Sequence, residues 1–184
     1  MHWSSILEAP PRGVHGAAPA PCYTAGRKHP GNGVNTMQDS DTLTAGHVRV
    51  TEQNRHFAQR IETEKHSLTA DEPPGAGGGD LGPNPYEYLL AALGACTSMT
   101  IRMYADRKGI NLDGVEVTLA HRRIHAEDCE ECETREGYVD RIDKRIRLSG
   151  GLSEAERRKL LEIADKCPVH RTLKNEILIK SSLA

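Results

Sequence analysis

The sequence predicts an α+β protein with the element order β-β-β-α-β-β-α-β. Two features support this class: two long segments carry apolar residues at helical spacing, and short strand-like segments occur in groups before and between them. Grouped strands are typical of α+β domains, because α/β proteins alternate strand and helix. With 184 residues, the chain is long enough for one domain with a substantial core.

Residues 1–36 are rich in proline and glycine and show neither helical nor strand periodicity. They are predicted to form a disordered tail, and Met37 is a candidate for the original start. We divide the chain into a disordered N-terminal extension, residues 1–43, and a folded domain, residues 44–184. Cys22 lies in the extension and is interpreted as an incidental exposed thiol.

The folded domain begins with three predicted short strands, separated by polar groups that suit turns. A loop rich in glycine and proline follows at residues 73–85. Two longer strands, joined through an acidic loop, are predicted further along, where Val115, Val117 and Leu119 alternate with other residues as in a half-buried strand. The five strand segments are AGHVRVTE, RHFAQRIE, KHSLTADE, GVEVTLAHRRIHA and YVDRIDKRIRLSG.

Two helices and a last strand complete the prediction. The first helix is expected from about Pro85, which suits a first turn, to Lys108, with Gly109 as its stop. In the second helix, Ser153 and Glu156 form a capping-box pattern. The second helix, the turn or short helix after it and the last strand correspond to LSEAERRKLLEIADKC, CPVHRTLKN and EILIKSSL.

The composition argues against several classes of protein. The net charge of -2 gives no basic stripe of the kind that binds nucleic acid or an acidic membrane surface. No apolar run reaches the roughly 18 residues of a transmembrane helix, and the N-terminus lacks a signal-peptide pattern. The five cysteines are an odd number, which does not suit a closed disulfide framework. We therefore expect a cytoplasmic protein, where free cysteines are usually buried, metal-bound or catalytic.

Cys96 lies in the first helix on a stripe of apolar residues spaced three and four apart. One interpretation is a core residue, because free cysteine is among the most buried residue types. The stripe also carries Thr97 and Thr100, however, and the helix is apolar nearly all round, as expected of a helix covered on several sides. Burial alone raises the pKa of a thiol. A reactive Cys96 therefore needs a cationic neighbour, which we expect to be an arginine.

Cys167 ends the second helix and precedes Pro168. If Pro168 opens a new helical turn, Cys167 is its N-cap, where the helix dipole favours a thiolate. His170 and Arg171 are close by in sequence. The alternative is a cysteine that merely ends a helix, next to a solvent-exposed histidine.

The acidic loop contains a second cysteine pair, Cys129 and Cys132. With His121 and His125 upstream, it supplies four residues of the types that bind zinc. Structural zinc sites usually close from two separated pieces of chain, whereas this would be one continuous stretch. The pair could instead form a redox disulfide, or the segment could be an exposed acidic loop.

Three segments resemble the OsmC/Ohr family of thiol-dependent hydroperoxide reductases, and most closely its YhfA-like branch. The most specific part is an Asn-Pro-led helix that carries a cysteine, paired with a late helix that ends in Cys-Pro. The resemblance covers about residues 44–184 and implies two long central helices packed against β-sheets in an intertwined homodimer, with active sites at the subunit interface. The matching segments are GGDLGPNPYEYLLAALGACTSM, VEVTLAH and LSEAERRKLLEIADKCPVHRTL.

The resemblance implies a peroxidase that needs no metal and no organic cofactor. By position, Cys96 would be the peroxidatic cysteine and Cys167 the resolving one. The Cys96 thiolate would attack the O–O bond of an organic hydroperoxide and become a sulfenic acid, which Cys167 would convert to a disulfide. A dithiol, a dihydrolipoyl group in relatives, would then restore both thiols.

The family also uses an arginine that stabilises the thiolate and a glutamate that orients it. Arg55 falls about where relatives carry their arginine, and Arg49 and Arg60 are rivals. The glutamate directly follows Asn-Pro in many relatives, whereas here Tyr86 holds that position and Glu87 comes next.

Glu87 and Cys96 are nine residues apart, which places them on opposite faces of a regular helix. Glu87 could serve only if the helix begins after it or an arginine bridges the gap.

Two other functions stay open. One is acyl transfer or thioester hydrolysis, with Cys96 or Cys167 as nucleophile and His170 as base. The other is a non-catalytic OsmC-like protein that binds a small molecule or zinc, which the departure at Tyr86 favours.

Overall fold

The structure is a computed structural model that describes residues 43–183 of the chain. The predicted N-terminal tail, with Cys22 and Met37, lies outside the described residues. Of the predicted extension only Leu43 falls within them, so the division into extension and domain stays a prediction.

Three short strands form an antiparallel sheet in the order β1-β2-β3. The strands are shorter than their predicted segments, because residues at the ends of each segment belong to the turns between them. Val50 pairs with Ile61, and Ile61 with Leu68, in one row across the sheet. Val50 and Leu68 are 57% and 46% exposed, so this row of the sheet is only partly covered within the chain. The strands are β1 Arg49–Glu52, β2 Gln59–Glu62 and β3 Ser67–Ala70.

The glycine-rich loop after β3 returns along that strand and is fixed to it. A Cβ atom at Gly82 would lie 2.2 Å from the carbonyl oxygen of Thr69, so this close approach requires glycine. Asp71 is only 2% exposed. Its carboxylate fixes the conformation of the loop by accepting three backbone hydrogen bonds. The donors are the N–H groups of Glu72, Gly79 and Leu81, at 2.8, 2.9 and 3.2 Å.

The first helix, α1, runs from Pro85 to Lys108, as predicted. The Asn84 side chain accepts a hydrogen bond from the Glu87 N–H at 3.0 Å, and the Glu87 carboxylate accepts one from the Asn84 N–H at 2.8 Å. This reciprocal cap satisfies two of the free N–H groups at the start of the helix. Gly109, with φ +64, ends the helix in the left-handed conformation.

A long antiparallel hairpin follows, formed by β4 Gly114–His125 and β5 Tyr138–Ser149. Both predicted strands are confirmed, and they pair without interruption from Gly114 and Ser149 to His125 and Tyr138. The helix α1 packs directly on β4, since a Cβ atom at Gly94 would lie 2.8 Å from a methyl carbon of Leu119.

The second helix, α2, runs from Glu154 to Ala164, and the short element predicted after it is a helix, α3, Pro168–Lys174. The predicted second helix extends too far, to Cys167, because Pro168 disfavours helical backbone in the residue before it. Cys167 accordingly has extended backbone, with φ -61 and ψ 137. The capping box of Ser153 and Glu156 is confirmed, as is the short helix predicted after it.

The strand predicted for EILIKSSL is wrong for the single chain. Residues 176–183 have no regular secondary structure, and Leu178 and Ile179 are 78% and 81% exposed. A strand needs a neighbouring strand to satisfy its backbone groups. Within residues 43–183 none lies beside this segment.

The core lies between α1, α2 and the β4–β5 hairpin. Ile101 and Leu160 are fully buried there, and each such side chain stabilises the fold by about 1.5–3 kcal/mol. The expectation that α1 is covered on several sides is wrong for the single chain, since Ala91, Ala95 and Met99 are exposed. No helix in the described range is long and apolar enough to cross a membrane.

Candidate active site: a cysteine pair between α1 and α3

Two free cysteines meet where α1 passes the start of α3. Cys96 lies on α1 and is half-buried, whereas Cys167 precedes α3 and is 0% exposed. The two thiols lie close enough to affect each other, since the Cys167 thiol raises the pKa of Cys96. The fold thus brings together the two cysteines that the sequence singled out.

Cys167 is the N-cap residue of α3, as the sequence predicts. Its sulfur accepts a hydrogen bond from the backbone N–H of His170 at 3.3 Å. It also accepts one from the hydroxyl group of Thr97 at 3.6 Å. Both donors would stabilise negative charge on this buried sulfur.

Cys96 has a different set of neighbours. Burial raises the pKa of the Cys96 thiol above its usual value. The N–H of Val169 lowers that pKa, the Cys167 thiol raises it and the Thr100 hydroxyl lowers it, and the net direction is upward. None of these groups is a cation, so they leave Cys96 without the positive neighbour that stabilises a reactive thiolate.

The access of solvent differs between the two sulfurs. Cys96 is partly exposed and Cys167 is enclosed, so a dissolved substrate can approach only Cys96.

A separate open depression of about 310 Å³ lies between α1 and β4. It is on the far side of α1 from Cys96, because Gly94 and Cys96 are two residues, about 200°, apart on the helix. The depression is lined by Leu90, Ala91, Gly94, Ala95, Ser98, Val117 and Leu119.

The structure does not bring Glu87 to the cysteine pair. Its carboxylate is occupied at the start of α1, where it caps Asn84, and the helix continues unbroken from there to Cys96. The two side chains therefore lie on opposite faces, about 13 Å apart along the helix axis.

The predicted arginines lie on the three-stranded sheet and its first turn, and not on the helices that carry the pair. Arg55 is exposed, in the turn between β1 and β2, with a left-handed φ of +54. Arg60 forms an ion pair with Glu62 at 2.9 Å, and Arg49 lies on β1. Within residues 43–183 no hydrogen bond joins Arg55 to either sulfur.

His170 lies at the same site, where its backbone N–H donates to the Cys167 sulfur. Burial lowers the pKa of His170, Lys144 and Lys174 lower it further, and Asp165 opposes them. The imidazole lies 3.7 Å from the Asp165 carboxylate. The net direction of the pKa is downward, which favours the neutral form of the imidazole.

Sequence reasoning missed three members of the site. It placed Thr97 and Thr100 on the same helical stripe as Cys96 but gave them no role, although polar residues on that stripe were the available signal. The N–H of Val169 is a backbone group, and no side-chain pattern could have indicated it.

The four residues of the zinc hypothesis are not assembled into a metal site. His121 stacks on Tyr86 and lies 3.0 Å from a carboxylate oxygen of Asp140, and Cys129 and Cys132 form a disulfide. In the described part of the chain, no group of three or more His, Cys, Asp or Glu residues is placed to hold a metal ion.

Solved structures share this fold. An OsmC like protein from Mycoplasma pneumoniae is 19% identical, with a TM-score of 0.56, over 74% of this chain and 89% of that chain. An organic hydroperoxide resistance protein OsmC from Legionella pneumophila is 19% identical, with a TM-score of 0.52, over 71% and 91%. An organic hydroperoxide resistance protein from Elizabethkingia anophelis is 17% identical, with a TM-score of 0.52, over 73% and 91%.

At these identities the likeness establishes the fold. No curated protein matches the sequence significantly. Residues 77–182 match the family model described as OsmC-like protein, and that range includes α1 with Cys96 and the start of α3 with Cys167. Because the match spans more than half of the sequence and the fold agrees with it, the chain belongs to the OsmC-like family.

Proposed function

We propose that the chain is a cysteine-dependent peroxidase that reduces organic hydroperoxides. The observation that carries the proposal is the proximity of a partly exposed thiol, Cys96, to an enclosed one, Cys167. This difference in access suits a division of roles. Cys96 would react with a dissolved peroxide, and Cys167 would react only with the product formed on Cys96.

The reaction has three steps. The Cys96 thiolate attacks the O–O bond of the hydroperoxide, so that an alcohol leaves after taking up a proton and a sulfenic acid forms on Cys96. The Cys167 thiol then attacks that sulfur, releasing water and closing a Cys96–Cys167 disulfide. An external dithiol reduces this disulfide by exchange and is itself oxidised to a disulfide. No metal or organic cofactor takes part in these steps.

Family membership and the names of two structural relatives support the redox chemistry. The Legionella pneumophila and Elizabethkingia anophelis proteins are both called organic hydroperoxide resistance proteins. The choice of an organic hydroperoxide, of a lipoyl-type dithiol as reductant and of the cytoplasm as location follows from the sequence and its family resemblance.

We also propose that the protein acts as a homodimer and that Arg55 activates Cys96 there. The exposed small residues of α1 and the exposed apolar segment after α3 favour a second copy as their cover. In such a dimer, Arg55 of the partner subunit would supply the cation that Cys96 lacks among its own neighbours. Glu87 would join the site only by leaving its cap on Asn84.

A thiol count tests the peroxidase proposal. In a Cys22→Ser, Cys129→Ser, Cys132→Ser background only Cys96 and Cys167 titrate. Addition of cumene hydroperoxide should remove two thiols per chain from the reduced protein. With Cys96→Ser added, no thiol should be lost. With Cys167→Ser added, one thiol should be lost and a sulfenic acid should be trapped by dimedone. An unchanged thiol count in the background protein would contradict the proposal.

Thioester hydrolysis is a second candidate, favoured by the lowered pKa of His170, whose imidazole would act as a base. It predicts turnover of a thioester with a stable acyl group on Cys96 or Cys167 and no disulfide. Loss of that turnover in His170→Gln, with peroxide reactivity no greater than that of a free thiol, would favour it. If neither substrate reacts, the non-catalytic binding role is favoured instead.

A further inference from the structure

The tip of the β4–β5 hairpin carries a cysteine pair that the proposed reaction does not use. Cys129 and Cys132 are bonded as a disulfide, with their Cα atoms 5.4 Å apart. Cys129 follows a 3-10 turn, Ala126–Asp128, and its N–H donates to the Ala126 carbonyl at 3.1 Å. Both cysteines are partly exposed, so a dissolved thiol can reach the bond between them.

The hairpin tip is far from the Cys96 and Cys167 pair. The helix that carries Cys96 crosses β4 at Leu119, where Gly94 contacts it. From Leu119 to His125, six further residues of strand extend about 20 Å, and Cys129 lies beyond them. Within one chain the two pairs therefore cannot exchange directly.

The disulfide adds little to the stability of the hairpin. The strands are already paired to their last residues, His125 and Tyr138, and the N–H of Ala126 donates to Gly137 at 2.9 Å. The Tyr138 ring also packs against His125 with ring centres 4.3 Å apart. A bridge between residues three apart closes only a short loop, and the stabilisation by a disulfide grows with loop length. A structural purpose therefore does not account for it.

We propose that Cys129 and Cys132 form a thiol–disulfide exchange site, distinct from the Cys96 and Cys167 pair, whose partner is a dithiol carried on a positively charged protein or peptide surface. A thiolate of the partner attacks one sulfur of the Cys129–Cys132 bond, which breaks as a mixed disulfide forms. The second thiol of the partner then attacks that mixed disulfide. The partner leaves as a disulfide, and both cysteines become thiols, so that two electrons and two protons have been transferred.

The charge of the tip selects the partner. Residues 126–137 carry six carboxylates and one arginine. This field attracts a cationic partner and repels an anionic one, most strongly at low salt, where charges are screened least. The site does not depend on the peroxide reaction, because it uses neither Cys96 nor Cys167.

Two synthetic Cys-x-x-Cys peptides test the proposal, one flanked by lysines and one by glutamates. They are added to a Cys22→Ser, Cys96→Ser, Cys167→Ser protein, and the thiols of Cys129 and Cys132 are followed by alkylation and mass spectrometry. Both thiols should form together, about tenfold faster with the lysine peptide at low salt, and the difference should shrink at high salt. In a Glu130→Gln, Glu131→Gln variant, the difference between the rates with the two peptides should also be smaller.

The same thiols can be followed in the wild-type protein by peptide mapping, which distinguishes Cys129 and Cys132 from the other cysteines. This measurement replaces the one on the triple variant if that variant does not fold. Three outcomes would overturn the proposal: a disulfide that dithiols do not reduce while the protein stays folded, equal rates with both peptides at all salt concentrations, or unfolding of a Cys129→Ser, Cys132→Ser protein. The last would make the disulfide a structural element.

Discussion

The hydroxyl of Thr97 lies 3.6 Å from the buried sulfur of Cys167 and donates a hydrogen bond to it. Thr97 directly follows Cys96 on α1, so one helix both presents the exposed cysteine and supplies a donor to the enclosed one. The N–H groups of Val169 and His170, at the start of α3, contact Cys96 and Cys167 respectively. Each helix thus contributes one cysteine and a donor to the cysteine of the other.

Replacement of Thr97 by valine should slow closure of the disulfide. Valine keeps the shape but removes the donor, and a hydrogen bond to a charged group contributes about 1.5–3 kcal/mol. We expect disulfide formation after oxidation of Cys96 to slow about tenfold, with the reaction of Cys96 with peroxide little changed. Stopped-flow thiol quenching separates the two steps. Thr97→Ser, which keeps a hydroxyl, is the control, and closure at the wild-type rate in Thr97→Val would exclude this role.

Replacement of Arg55 by glutamine should change the pH profile of the peroxide reaction. Burial and the Cys167 thiol raise the pKa of Cys96, so without a cation its thiolate fraction rises only as pH passes above the usual thiol value of about 8.5. We expect the rate constant of Arg55→Gln to rise only at high pH, whereas the rate constant of the wild type should reach its plateau at lower pH.

Arg60→Gln is the matched control, because Arg60 is already paired with Glu62. The measurement is the second-order rate constant with cumene hydroperoxide from pH 5 to about 10. Superimposable profiles for the wild type and Arg55→Gln would remove Arg55 from the site.

Replacement of Asp71 by asparagine should lower the stability of the folded protein at neutral pH. It should also reduce the loss of stability that the protein shows as the pH falls. Burial raises the pKa of the Asp71 carboxyl, but the N–H groups of Glu72, Leu81 and Gly79 lower it to below its usual value. A carboxyl with a lowered folded-state pKa stabilises the fold above its unfolded pKa of about 3.9, and that contribution is lost as pH falls through the lower folded value.

The Asp71→Asn protein should therefore have a lower Tm at pH 7, and the difference from the wild type should narrow at acid pH. Thermal unfolding followed by circular dichroism at several pH values measures both. Asp80→Asn is the control, since Asp80 is exposed in the same loop and its left-handed φ of +56 suits asparagine. If the Tm of Asp71→Asn differed from that of the wild type by the same amount at all pH values, the proposed effect of Asp71 ionisation on stability would be contradicted.

Charges in the segment after α3 should reduce self-association. Leu178 and Ile179 are 78% and 81% exposed in the single chain, and a second copy would bury them and satisfy the unpaired backbone. We expect Leu178→Glu, Ile179→Glu to shift the mass from twice the chain mass of 20.2 kDa toward that of one chain. Sedimentation equilibrium measures it, with Leu161→Glu, on the exposed face of α2, as control. A wild type that sediments as a single chain would contradict the homodimer.

Much of the fold could be predicted because its signals are local. Pro85 and Gly109 bound α1 through backbone preferences that do not depend on the rest of the molecule, and the same holds for the Ser153 cap of α2. The last strand could not be predicted in this way. The segment 176–183 has a strand-like composition, but a strand exists only beside a partner, and the chain itself does not provide one there.

The same distinction between local signals and tertiary packing applies to the cysteine site. The sequence by itself determined that Cys96 lies on a helical stripe with Thr97 and Thr100, and that Pro168 makes Cys167 an N-cap, because helical periodicity and the missing N–H of proline act within a few residues. Only the tertiary structure decided that these two sulfurs lie close together, that one is open to solvent and the other enclosed, and that Glu87 caps its own helix while Arg55 lies in the turn between β1 and β2. Those relationships depend on how α1, α2 and α3 pack together, and packing joins residues that no local pattern connects.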